Sequence, residues 1–229
     1  MRLKEFITEG RNHPCIVVDV QPEYSGIHDG AESQVFEEII QFVNRQTGPV
    51  LMFVNAEDQG LSGDTVNSIE QYWNDTICPE EERYTYDEEY GDYIEDPNCP
   101  MINWNRFTLV DKGYGYLRAW MTDNGDPAVI IKMIRKLYQE KENDSRMLFG
   151  GEDDLNYEAR MREFVGPSFM PWMLADPITV NWTSVAQLKR FNGAYLMGGG
   201  RNECLREVEL LMNAFNIRYK RIDSLVYGD

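Results

Sequence analysis

The chain has 229 residues, 42% of them hydrophobic and 27% charged, enough apolar material for one sizeable core, and is expected to form a single domain over residues 1–229. Its formal net charge of -17 opposes any surface that must neutralise phosphates, so nucleic acid and anionic membranes are not expected partners, whereas neutral or cationic small molecules are. The opening MRLKEFITEG lacks the apolar core of a signal peptide, no apolar stretch approaches the roughly 20 residues of a membrane span, and four cysteines (Cys15, Cys78, Cys99, Cys204) are too sparse for a disulfide framework, so a soluble protein of the reducing cytoplasm is expected.

In chain order, the β-branched run PCIVVDV reads as a strand buried on both faces, ending in an acid where its carboxyl end meets solvent. ESQVFEEIIQFVNRQTG follows with Val35, Phe36, Ile39, Ile40 and Val43 at helical spacing and Gly48 as a stop, and PVLMFVNAED is again a strand. This β-α-β opening calls for a parallel sheet, because parallel strands need a crossover and a helix is the usual one. FTLVDK reads as a further strand, and DPAVIIKMIRKLYQEK as a helix with Asp126 as N-cap and Pro127 at the first helical position. NGAYLMG is a strand, NECLREVELLMNAF a helix with Leu205, Val208, Leu211, Met212 and Phe215 on one side, and IRYKRI a last strand. The alternation predicts a three-layer α/β sandwich with a mainly parallel sheet.

Two long excursions interrupt it, at about 57–106 and 142–176. The first holds EEERYTYDEEYGDYIED, whose acids alternate with Tyr84, Tyr86, Tyr90 and Tyr93; it reads as a solvated flap anchored by its tyrosines to the body or to another subunit, and it lacks the ordered acids and central glycine of an EF-hand loop. The second is rich in Met, Phe and Trp and is suited to covering a site, with Met170, Trp172 and Met173 read as core or interface residues.

In a parallel α/β sheet ligands sit beyond the carboxyl ends of the strands, which selects Asp19, Asn55 to Asp58, Lys112 and the segment GGGRNEC from Gly198 to Cys204. Cys204 falls in the first turn of a helix, where the macrodipole and unpaired backbone N–H groups favour a thiolate; the bland reading is a buried, inert thiol beside a tight turn. The glycines before it admit backbone shapes closed to other residues, as an oxyanion-binding turn requires. Asp19 is placed to take and return a proton, or merely to cap the strand-end turn; Lys112, in DKGYGY, holds neighbouring groups in their charged forms or is a solvated end. Lys132 and Lys189 are alternatives but sit in predicted helices.

The order Asp19 in IVVDVQPEY, Lys112 after a later sheet strand and Cys204 in GGGRNEC resembles the Asp, Lys, Cys series of the isochorismatase-like cysteine hydrolases, the superfamily of nicotinamidases and N-carbamoyl amidases. Asp19, Gln21 and Tyr24 match its Asp-x-Gln stretch with a following aromatic, and Gly198, Asn202 and Cys204 match its nucleophile motif, which passes through a cis peptide. Arg201 and Glu203 are bulkier and more charged than the family's usual residues. The resemblance implies a Rossmann-like sheet and hydrolysis of a C–N bond through a thioester: Cys204 attacks, Asp19 is base then acid, Lys112 supports the charged pair, and backbone N–H groups at Gly200, Arg201 and Cys204 form the oxyanion hole. It places Gln21, Tyr24 and Asn202 around the substrate and suggests a homo-oligomer.

No cofactor is expected, and no metal: nicotinamidases use an Asp and two His, whereas this chain has only His13 and His28, and His28 with Asp58 and Asp64 has no supporting spacing. Cys78 and Cys99 read as free thiols rather than a zinc half-site. Two other functions fit the same residues. GGGRNEC can cradle a nucleotide phosphate with Arg201 as counter-charge, or the chain can be a catalytically silent structural or interaction relative, of the kind a virus encodes.

Overall fold

The structure, a computed structural model, describes residues 12–25, 31–55, 61–87, 89–96, 99–111, 127–140, 146–149, 159 and 178–228. In chain order these form β1 (Cys15–Val18), a helical turn α1 (Pro22–Ser25), α2 (Ala31–Asn44), β2 (Val50–Val54), α3 (Gly63–Ile77), β3 (Tyr84–Asp87), β4 (Asp92–Glu95), β5 (Phe107–Asp111) and α4 (Pro127–Glu140). There follow β6 (Arg146–Phe149), β7 (Ile178–Asn181), α5 (Trp182–Leu188), β8 (Ala194–Gly199), α6 (Cys204–Ala214) and β9 (Tyr219–Tyr227). Lys112, His28, Asp58, Met170, Trp172 and Met173 lie outside the described residues, as does the N-cap assigned to Asp126.

The apolar runs β5, β2, β1, β8 and β9 line up in that order in one sheet, every pair parallel. Alternate side chains of β1 serve opposite faces: Cys15 and Val17 join Phe36, Ile39, Ile40 and Val43 of α2 with Ile69 and Trp73 of α3, while Ile16 and Val18 join Leu205, Val208 and Met212 of α6. This is why the run is continuously apolar, since a strand covered on both sides has no face left for polar residues. Each such side chain taken fully out of water contributes about 1.5–3 kcal/mol, so the seam of four on α2 alone fixes which side of that helix meets the sheet. The chain is thus α/β, a parallel sheet between two helical layers, as the alternation predicts.

The connections put the layers where they are. Laying β2 on one side of β1 and β9 on the other side of β8 with right-handed crossovers requires α2 and α6 to lie on opposite faces of the sheet, and they do. Helix α4 packs on α6, with Arg135 donating to the Ala214 carbonyl at 2.6 Å and Tyr138 stacked edge-on against Phe215, so one arginine satisfies an orphan carbonyl at the end of α6.

The first excursion is more ordered than its acidity suggests. Ser62 caps α3 by accepting from the Thr65 N–H, and Trp73 is wholly buried with its indole N–H donating to the Val20 carbonyl at 2.8 Å. Beyond it, β3 and β4 form an antiparallel hairpin. Its tyrosines do not anchor it to the body: Tyr84, Tyr86, Tyr90 and Tyr93 are 52%, 54%, 76% and 68% exposed. Cys78 and Cys99 are not free thiols but a disulfide, with Cα atoms 5.9 Å apart, closing a separation of 21 residues. With two of the four cysteines paired, cysteine usage is no longer an argument for a reducing cytoplasm. No helix among the described residues is long and apolar enough to cross a membrane.

Candidate active site

Register decides what meets at the carboxyl edge. Val18 stands opposite Phe53 on one side and Gly198 on the other, so Asp19, Asn55 and the glycine turn leave three adjacent strands at one level. From β1 the chain winds to one side and from β8 to the other, and the crevice at such a reversal is where open parallel sheets bind ligands.

Asp19 takes a left-handed backbone conformation, φ 55°, at 3% exposure. For a residue with a Cβ that costs of order 1–2 kcal/mol and persists only where the surroundings dictate it. Here they do: its N–H donates to the Phe53 carbonyl at 2.9 Å, and its own carbonyl accepts from the Tyr227 hydroxyl at 2.6 Å. The peptide planes on both sides of the acid are therefore held from the neighbouring strand and from β9.

The glycine turn is packed as tightly. Gly198, φ 113°, lies against β1 so closely that a Cβ would come 2.7 Å from the Val18 nitrogen, and Gly199 lies beneath the Tyr227 ring. Gly200, φ 60°, brings the chain over Glu203 and Cys204, accepting from the Glu203 and Leu205 N–H groups at 2.8 and 3.1 Å. Cys204 then opens α6 as a half-buried residue outside any disulfide, against the Leu205 and Val208 side of the core. The N-cap, Glu203, makes no side-chain capping bond, and Glu207 adds a second acid in the first turn.

Two features depart from the motif the resemblance implies. No cis peptide occurs among the described residues, so the turn is trans throughout. The Arg201 N–H donates to the Tyr227 carbonyl at 3.2 Å, so it can join an oxyanion hole only when that bond opens. Asn202 is exposed at the tip of the turn.

Gln21 and Tyr24 are gathered at the rim, yet their bonds run to the chain itself. The buried Gln21 side chain accepts from the Asn55 N–H at 2.9 Å and donates to the Asn55 carbonyl at 3.0 Å, and the Asn55 amide donates to the Tyr24 hydroxyl at 2.8 Å. Gln21 thus copies a strand partner and ties the loop after β1 to that after β2. Lys112 follows Asp111, which pairs with Val54 at the same edge, but lies outside the described residues.

Tyr227 is the residue the sequence reading missed. A register shift between Leu196 and Gly198 lets β9 run on from Ile222 to Tyr227, and that irregularity carries the tyrosine over the glycine turn, where its ring also packs on Phe36 at 4.5 Å. The apolar LVY at 225–227 after the polar Asp223 and Ser224 was the available signal. Among the described residues no group of three His, Cys, Asp or Glu is arranged to hold a metal.

Fold and edge together define a doubly wound parallel α/β protein with an acid and a cysteine-bearing helix at the reversal of the sheet. No protein-family model, curated protein or solved structure matches the chain.

Proposed function

We propose that the chain is a cysteine-dependent hydrolase of a small amide or related C–N substrate, acting at the carboxyl edge through a thioester. The observation that supports this reading is the pairing of Val18 with Gly198, which sets Asp19 and the turn leading to Cys204 on neighbouring strand ends. The Cys204 sulfur attacks the carbonyl carbon while Asp19 takes the thiol proton. Asp19 returns that proton to the departing amine as the C–N bond breaks; water then adds to the thioester, Asp19 again moving the proton, and the acid leaves with the thiol restored. Lys112 supports the ionised pair, and the backbone N–H groups of Gly200 and Cys204, joined by that of Arg201 once its bond to the Tyr227 carbonyl opens, serve the developing oxyanion.

The charges favour this over phosphate binding. Glu203 is the N-cap of α6 and Glu207 stands in its first turn, where a phosphate would need cations, and the Arg201 N–H is already bonded to Tyr227. They suit a neutral or cationic substrate. Ammonia or amine release from a panel of small primary amides and N-carbamoyl compounds tests the reading. Cys204→Ser and Asp19→Asn should each abolish release, with the far-UV spectrum unchanged. Undiminished turnover in Cys204→Ser would end the proposal.

A further inference from the structure

The β3–β4 hairpin presents a sheet face that nothing among the described residues covers. Cross-strand partners share a face, so the register Tyr84 with Glu95 and Tyr86 with Tyr93 places three tyrosines and an acid together, the last two rings in edge contact at 5.5 Å. The tip carries the fourth tyrosine, Tyr90. A lone two-stranded hairpin is marginal in water, yet this one is held at its base by the Cys78–Cys99 disulfide and by Arg83, which pairs with Asp75 and donates to the Cys78 carbonyl at 3.1 Å. Beside that base lies a cavity of about 420 Å³ lined by Arg83, Tyr84, Glu95, Asp96, Cys99 and Met101.

We propose that this hairpin face and cavity form a docking surface for a lysine- or arginine-rich segment of a partner protein. Charge complementarity selects that occupant. Residues 80–96 contain nine acids against one arginine, and Arg83 is committed to Asp75. Tyrosine faces beside carboxylates offer a cation both ring attraction and ion pairing, and rigid aromatic anchors are what protein interfaces use. The cavity has room for one long basic side chain, its stem on Tyr84 and Met101 and its head toward Glu95 and Asp96. A second copy of this chain is a poor occupant, because two faces of like charge on molecules of net charge -17 repel.

The test is fluorescence anisotropy of a labelled oligo-arginine peptide titrated with the intact, oxidised protein, with oligo-glutamate as control. Charge alone would also draw a polycation to so acidic a molecule, so the deciding variant is Tyr86→Ser with Tyr93→Ser, which leaves the charge untouched and alters only exposed side chains. It should weaken binding about tenfold. Glu95→Gln with Asp96→Asn should weaken it more than Glu37→Gln with Glu70→Gln on α2 and α3. Equal binding by the tyrosine variant, or equal effects of the two acid pairs, would reduce the interaction to non-specific charge and overturn the proposal. So would sedimentation showing that wild type self-associates and that the tyrosine variant does not.

Discussion

Replacing Gly199 by alanine would place a methyl group inside the ring of Tyr227, with no room to share. The ring is buried, packed on Phe36, and its hydroxyl holds the Asp19 carbonyl, so moving it disturbs core and site together. Overpacking of this kind costs about 1–3 kcal/mol, and losing the hydroxyl's bond adds about 1 kcal/mol. The expected loss is about 2–4 kcal/mol, or roughly 5–15 °C in Tm for a chain of this size. Urea unfolding followed by tryptophan fluorescence reads it, with the buried Trp73 as reporter. Tyr227→Ala alone should cost about 3–5 kcal/mol through the cavity it leaves. In the double variant the alanine has room, so the combined loss should fall short of the sum by about 1–3 kcal/mol. A sum that adds to within about 0.5 kcal/mol, or a neutral Gly199→Ala, would mean that Tyr227 does not sit on the turn.

Burial pushes the Cys15 thiol up from 9.0 to about 12, with Arg106 opposing the shift. Above pH 9 the unfolded chain gives up a proton that the folded chain keeps, so stability should fall by about 1.4 kcal/mol per pH unit toward pH 12, and Cys15→Ala should flatten that slope in urea titrations. At neutral pH the native protein should accept one iodoacetamide label, at Cys204, since Cys15 is buried and the other two cysteines are paired; mass spectrometry of the labelled peptides counts them. Reducing the disulfide should lower unfolding stability by roughly 3 kcal/mol, the worth of closing a loop of that length, and unchanged denaturation under reductant would show that the bond is not formed.

The sheet was legible because its evidence is local. CIVV, VLMFV and AYLMGG each carry their own burial signature, and the helix between the first two shows a single apolar stripe, so strand order in time translates into a parallel sheet with few alternatives. The glycine turn was legible for the same reason. What escaped depends on partners far along the chain. Helix α3 buries only Ile69 and Trp73, too few for a stripe, and its true marker was the Ser62 cap. The disulfide leaves no trace in spacing, since α3 and the hairpin bring Cys78 and Cys99 together. Gln21 and Tyr24 were visible as types, but their bonds to Asn55 exist only once β1 and β2 are side by side.

Tyr227 and Asp19 are 208 positions apart, yet one hydroxyl joins them. During synthesis β1 leaves the ribosome well before β9 and must wait for it before its terminal peptide plane is locked. Until β9 docks, the peptide plane after Asp19 lacks the hydroxyl that fixes it, and the edge waits on one of the fold's most distant contacts. The tyrosine acts as a latch between two distant strands, so the shape of the carboxyl edge is set only when both are in place.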